Sequence, residues 1–350
     1  MHNHIDQLAA EAFASGATDL FLSEDEIPRV RINGDLQALG TDVLKREPLA
    51  EFWQTCHTDP ENDLEKDTSH VIPGGHRLRV NLYKALGKLS AVLRPIDDVV
   101  PSMESLGLPT QLLENWMEHK SGIVIVSGPT GSGKSTTIAS ALQWVNETHA
   151  RHIVTIEDPI EYLFSNQQSY FSQRELNSDT TSFASALRAS LRQSPDIIFL
   201  GEIRDIETAK TALQAAETGH LVVTTLHSSG VSDTLDRIIH LFSDDSREAL
   251  LTLLSQHLVG IMSQQLVPCK QGGQMIVLEH LQNEAATRSW ISDSQLPKIS
   301  DHINRDDNPA NCSFVRYLVA AVEQGYLDEN IARQTAPNAQ DFDRLLRGIK

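Results

Sequence analysis

GPTGSGKST, residues Gly128 to Thr136, stands between an apolar run, Gly122 to Ser127 (GIVIVS), and a segment, Ile138 to Val145, whose apolar residues recur at helical spacing. The order is strand, glycine-rich loop, helix, which is the local architecture that a phosphate group needs. Gly128, Gly131 and Gly133 let the backbone take positive φ and turn successive N–H groups inward, and the helix N-terminus adds a partial positive charge. Lys134 would reach the β- and γ-phosphates as a point charge. The Ser135 hydroxyl would ligate Mg²⁺, an ion that prefers oxygen and keeps waters in its other positions. Thr130, Ser132 and Thr136 complete the nucleotide-binding positions of the loop. The pattern G-x-x-x-x-G-K-[ST] arises by chance in a chain this long on the order of once in a hundred, so a nucleoside triphosphate, ATP, is the expected ligand.

Bulk properties narrow what the energy is used for. The chain has 350 residues, 40% hydrophobic and 22% charged, which suits a globular protein with room for two cores. Its 29 basic and 47 acidic residues leave a formal charge of −18, which repels phosphate backbones unless a basic stripe opposes the mean. Lys and Arg are spread thinly and no run of them is interleaved with aromatics, so no nucleic-acid partner is expected. Cys56, Cys269 and Cys312 lie far apart without C-x-x-C spacing, which indicates neither a zinc ribbon nor a disulfide framework. The opening MHNHIDQLAAEAFA carries no basic segment before an apolar core, so no secretory signal is expected. No apolar run approaches the roughly 18 residues of a membrane span. A cytoplasmic protein with no direct membrane span follows, one that can still dock on a membrane complex.

Outward from the loop, the pattern divides into domains. Ile5, Leu8, Ala9 and Ala12 share a helical face, with Gly16 as a stop. Extended runs follow at Asp19 to Leu22, Arg29 to Ile32, Arg77 to Tyr83 and Leu89 to Arg94, with turns at Asn33-Gly34 and Pro73-Gly74-Gly75. One helix and several antiparallel strands predict an α+β domain over 1–96, and a linker over 97–110 follows. From 111 to 350 strands alternate with helices: Gly122 to Ser127, His152 to Ile156, Asp196 to Leu200 and Leu221 to Thr225, separated by helical windows at 134–147, 181–193 and 205–218. That alternation implies a mostly parallel sheet covered on both faces. The region from about 231 to 350 reads as mainly helical, with SREALLTLLSQHLVGIM as one helix and one extended run near Gln274 to Glu279.

Three polar clusters fall at strand ends, where an open parallel sheet puts its chemistry. Thr155 to Tyr162 (TIEDPIEY) brings three carboxylates out of a strand, and a carboxylate beside the γ-phosphate can orient and deprotonate water. Asp196 to Asp205 (DIIFLGEIRD) is a buried strand ending in Glu202, the expected place for an acid that holds Mg²⁺ or its waters. Gly201 stands where many such enzymes have aspartate, so Glu202 acts alone or with Asp158, and Arg204 with Asp205 reads as a local pair and helix cap. Gly219 to Ser228 (GHLVVTTLHS) brackets a strand with His220 and His227, of which His227 is placed to sense nucleotide state.

In their order, TGSGKST, TIEDPIEY, DIIFLGEIRD and ETGHLVVTTLHSSG resemble the secretion and type IV pilus ATPases, most closely the pilus retraction (PilT-like) group. The resemblance runs nearly the whole length, from TDLFLSEDEIPRVRINGDL and HRLRVN through the loop cluster. It implies an α/β fold with an N-terminal α+β PAS-like domain, a RecA-like P-loop motor domain and a helical C-terminal region. It also implies a homohexameric Mg²⁺-dependent ATPase that retracts pili from the cytoplasmic face of the inner membrane against a platform protein. By resemblance Lys134 and Ser135 belong to Walker A, Glu161 is the base, Glu202 is the Walker B acid and metal ligand, and His220 and His227 form the His box. Arg79 and Arg94 match arginines that reach nucleotide, whereas a third is replaced by Gly87 beside Lys88. The A-I-R motif reads Ala286-Thr287-Arg288. Without a four-cysteine module or a long N-terminal extension, a retraction or accessory retraction role is favoured over assembly or secretion. A nucleic-acid motor and a nucleotide-gated switch are the remaining alternatives.

Overall fold

The computed structural model describes residues 4–96, 99–305 and 308–349. Asp97 and Asp98 of the expected linker, and the first three residues of the N-terminal stretch, lie outside the described residues. Two compact units emerge: one takes the chain up to Val99 together with Asp158–Leu163 and Asn177–Asp179, and the other takes Val100–Glu157, Phe164–Leu176 and the chain from Thr180 on.

The first unit runs α1 (His4–Ala14), β1 (Asp19–Ser23), β2 (Arg29–Ile32), β3 (Asp35–Ala38), α2 (Arg46–Thr55), β4 (Glu65–Val71), β5 (Arg77–Ala85) and β6 (Lys88–Pro95). Its six strands form one antiparallel sheet in the order β3-β2-β1-β6-β5-β4. Asn33 and Gly34 both take positive φ and close the β2–β3 hairpin, as an Asn-Gly pair does in a two-residue turn. Ile5, Ala9 and Ala12 of α1, with Leu49, Phe52 and Trp53 of α2, bury against Leu20, Leu78 and Leu93 of the sheet. The sequence reading had one helix here; α2 is the second, and its three apolar anchors at i, i+3 and i+4 bind it to the same core. Cys56 lies in that core, and burial pushes its thiol up to about 12, an inert thiol at neutral pH.

The second unit continues with α3 (Thr110–Met117), β7 (Gly122–Ser127), α4 (Lys134–Thr148), β8 (His152–Glu157), β9 (Tyr170–Glu175), α5 (Phe183–Ser190), β10 (Ile197–Leu200), α6 (Ile206–Glu217), β11 (Leu221–Leu226), α7 (Val231–His240) and α8 (Asp244–His257). Then come β12 (Leu258–Pro268), β13 (Gln274–Gln282), α9 (Ala285–Ser292), α10 (Leu296–Arg305), α11 (Phe314–Glu323), α12 (Glu329–Thr335) and α13 (Ala339–Leu346). The sheet order is β13-β12-β7-β11-β10-β8-β9, with every neighbouring pair parallel except β12–β13 at the edge. Ile123 and Ile125 of β7 face one core layer and Val124 and Val126 face the other, which is the alternation of a strand buried on both sides. Each such side chain contributes roughly 1.5–3 kcal/mol on burial.

The fold class is the expected one, α/β with a RecA-like P-loop core, an α+β N-terminal unit and a largely helical C-terminal region. Besides the elements that the sequence did not mark (α2, β3, β4 and β9), one stretch changes type. Helix α8 ends at His257, and LVGIM, read as its continuation, opens β12. The cause is burial on every side: all of Leu258 to Gln264 is buried, and a Cβ on Gly260 would lie 2.3 Å from the Trp116 indole of α3. Thr287 of the A-T-R triplet is a fully buried N3 residue of α9 whose hydroxyl accepts the Glu284 N–H at 2.7 Å, a capping role that an isoleucine could not fill.

Candidate nucleotide-binding site

Strand β7 is buried throughout and delivers the loop to the carboxyl edge of the sheet between β11 and β12. Gly128, at φ 151°, passes so close to β12 that a Cβ would stand 2.3 Å from the Gln264 carbonyl oxygen and 2.6 Å from Ser132 Oγ. Gln264 also supports the loop from below, since its side-chain Nε2 donates to the Ser132 carbonyl at 2.6 Å. Gly133, at φ 85°, precedes the first turn of α4 as its N-cap. Lys134 is only 8% exposed, and its Nζ lies over the loop, donating to the Gly128 and Pro129 carbonyls at 2.9 Å each. Ser135 and Thr136 follow on the same turn, both half-buried. Beyond Gly133 and Thr136 opens a cavity of about 820 Å³, bordered by Leu106, Met275, Ile276 and Tyr317.

The neighbouring strands bring the acid and the imidazole. Gly201, after β10, sits where a Cβ would be 3.2 Å from the Ile156 carbonyl of β8, so the strand end is a close backbone approach that leaves little room for a side chain. Thr225 Oγ1 donates to the Gly201 carbonyl at 2.5 Å and ties β11 to the same strand end. Glu202 then projects beside His227, with Oε2 3.6 Å from Nε2, while its Oε1 is paired with Arg204. Arg204 therefore partners Glu202, and Asp205 caps α6 by accepting the Thr208 N–H at 2.8 Å. Burial pushes the His227 pKa down, the Lys134 ammonium adds to that, and Glu202 pulls the other way without reversing the shift. Lys134, Glu202 and His227 follow the carboxyl ends of β7, β10 and β11, three adjacent strands, and so share one edge of the sheet.

Other predicted residues fall elsewhere. His220 is at the opposite end of β11 from His227, seven steps or roughly 23 Å away at ~3.3 Å per residue. Its Nδ1 lies 3.1 Å from the Ala215 carbonyl, a contact that closes the end of α6, so within this chain it does not join the loop cluster. Glu161 is exposed and lies in Asp158–Leu163, the segment grouped with the first unit. Arg79 and Arg94 face each other across β5 and β6 in that unit. Arg94 is ion-paired with Asp19, which Arg31 also approaches at 3.6 Å. Burial raises the Asp19 pKa, but hydrogen bonds from Arg94 and Thr18 and the two arginine charges outweigh it and hold the carboxyl low. Leu86 and Gly87 both take positive φ and close the β5–β6 hairpin.

The sequence reading missed Gln264 and Arg237. Arg237 of α7 donates to the His227 carbonyl at 2.7 Å and fixes the backbone that carries the imidazole. Three polar residues, Ser263-Gln264-Gln265, inside an otherwise apolar run were the available signal for the first; nothing in the sequence marked the second.

A glycine loop cradled between parallel strands, with a buried lysine, an acid on the next strand but one and a histidine between them, defines a P-loop nucleotide-binding protein of RecA-like type. The family model described as "Type II/IV secretion system protein" matches residues 1–313, and the chain belongs to that family. It is 35% identical over 343 residues to the "Type IV pilus retractation ATPase PilT" of Pseudomonas aeruginosa, covering 97% of this chain and 99% of that one. It is 36% identical over 321 residues to the "Twitching motility protein" of Neisseria gonorrhoeae, covering 90% and 86%. Among solved structures it is similar to the "Pilus Retraction Motor PilT and Bound ADP", with TM-score 0.90, 37% identity and coverage of 97% and 99%. Among the described residues no helix is long and apolar enough to cross a membrane.

Proposed function

We propose that the chain is a Mg²⁺-dependent ATPase, assembled as a homohexamer, that retracts a type IV pilus from the cytoplasmic face of the inner membrane by acting on a platform protein there. The observation that carries the hydrolytic reading is the convergence of Lys134, Glu202 and His227 at the carboxyl edge of a parallel sheet, beside a loop whose N–H groups suit phosphate. Near full-length similarity to a pilus retraction ATPase supports the choice of task.

In this reading Lys134 leaves its loop carbonyls for the β- and γ-phosphates, and the nucleoside extends past Thr136 into the cavity beside Leu106 and Tyr317. Among the described residues no three His, Cys, Asp or Glu converge as a metal cage, which suits an ion held mainly by phosphate and water. Ser135, on the first turn of α4, and Glu202, two strands away, are the oxygen donors that would hold it. Bound there, Mg²⁺ supplies neutralising charge to the phosphates. Glu161 takes the proton of the attacking water, His227 registers the state of the terminal phosphate to Glu202, and Arg79 and Arg94 supply positive charge from a neighbouring subunit.

Deleting the gene from its host and counting surface pili tests the task. An excess of pili is expected. A loss would assign the protein to assembly, and an unchanged count would overturn the pilus reading.

A further inference from the structure

The helix after the His-box turn makes a buried polar contact with the root of the phosphate loop. Ser127 is the last residue of β7, immediately before Gly128; Ser263 faces it on β12, and Leu226, which precedes His227, faces it on β11. Ser127, Ser263 and Thr234 are all fully buried. Thr234 Oγ1, in the first turn of α7, donates to Ser127 Oγ at 2.8 Å, and Ser127 Oγ is also hydrogen-bonded to Ser263 Oγ. On its other side Thr234 Oγ1 lies 2.8 Å from the hydroxyl of Ser228, the residue after His227, and 2.7 Å from the Gly230 carbonyl. Three hydroxyls, Ser127, Thr234 and Ser228, thus run without a break from the strand that carries the phosphate loop to the turn that carries the imidazole, and Ser263 of β12 extends the row behind Ser127.

Thr234 is the centre of the chain, and its chemistry is restrictive. A threonine hydroxyl has one proton and two lone pairs. It can give that proton to Ser127 or to the Gly230 carbonyl, not to both, so when the proton goes to Gly230 the contact with the loop root must be made by the Ser127 proton, and the hydroxyls of the row reorient together. The turn is otherwise tightly held: Glu279 of β13 accepts the Val231 N–H at 2.7 Å, and Arg237 holds the His227 carbonyl. Beside the backbone bond from the Gly128 N–H to the Leu226 carbonyl at 3.3 Å, Thr234 supplies the side-chain link between the two motifs.

We propose that Thr234 is a positioning residue whose hydroxyl, through Ser127 and Ser228, couples the root of the phosphate loop to the turn bearing His227, so that phosphate on the loop and the imidazole beside Glu202 move in register. The inference rests on the ATPase reading. It assigns Thr234 no contact with nucleotide, so its loss touches turnover and spares ground-state binding.

The test uses the full-length protein and steady-state phosphate release with Mg-ATP, with ADP affinity measured by competition. Thr234→Val keeps the shape and removes the hydroxyl. It should lower kcat by roughly tenfold or more, the scale of a small misplacement near the chemistry, with KM and ADP affinity within about twofold of wild type. Thr234→Ser, which keeps the hydroxyl, should restore kcat to within about twofold of wild type. Ser228→Ala, at the half-buried end of the chain, should also lower kcat at constant KM, and it decides the matter should the valine variant not fold. Unchanged kcat in Thr234→Val or Ser228→Ala, equal impairment in Thr234→Ser, or a loss that falls on KM and ADP affinity would overturn the coupling. Wild-type protein with no turnover would instead overturn the ATPase reading on which it rests, and the coupling with it.

Discussion

His227 experiences opposed influences from groups that the chain brings from three separate strand ends. Burial and the Lys134 charge favour the neutral ring, Glu202 favours the charged one, and the balance lies below the ordinary histidine value. Because folding lowers this pKa, its contribution to stability is present above the unfolded value of about 6.5 and is lost as pH falls through the folded value. The nucleotide-free protein should show the His227 ring titrating below pH ~6.5 by NMR, neutral at pH 7; a midpoint at or above that value would contradict the electrostatic picture. The identity of this cluster was legible at the residue level, because a phosphate loop constrains which polar residues at neighbouring strand ends can matter. His227 was separable from His220 because a parallel sheet puts the residue after β11 at the carboxyl edge and the residue before it at the opposite end; the resemblance that grouped both histidines into one box hid this difference. Arg237 was hidden because it acts on a backbone carbonyl of the turn, a contact that leaves no motif, and Gln264, which acts on a loop carbonyl, was marked by no more than the polar break in its strand.

Elements buried on both faces were the easiest to read. β7, β10 and β11 are buried at every position and dominated by aliphatic residues, and their order with α4, α5 and α6 specified the parallel sheet. Edge elements were harder. β4 buries only Thr68 among charged and polar residues, and β9 buries two of six, so both owe their place to ladder pairing with a neighbour more than to a core face. β12 was misread for the opposite reason: a run apolar at every position carries no period to separate strand from helix. Its assignment makes a measurable claim. Gly260 packs under the Trp116 indole with no space for a methyl group, so Gly260→Ala forces overpacking of about 1–3 kcal/mol. In a unit of this size that should lower the melting temperature by roughly 3–10 °C, seen by circular dichroism. An unchanged melting curve would place the α3–β12 contact in error.

For the whole molecule, the net charge of −18 and the loop cluster constrain each other. Lys134, Arg204 and Arg237 stand around the loop in one unit, and Arg31, Arg79 and Arg94 lie along one sheet row in the other, with Asp19 between them. A chain with this net negative charge suits a protein that grips a small phosphate ligand and acts on protein, and it does not suit one that tracks a nucleic acid. That account stands or falls on repeated turnover. The direct measurement is steady-state phosphate release from Mg-ATP by the purified full-length protein beside its Lys134→Ala variant. Many phosphates released per protomer by the wild type, with the variant at background, are predicted; at most one phosphate per protomer, or equal release by the two proteins, would contradict it.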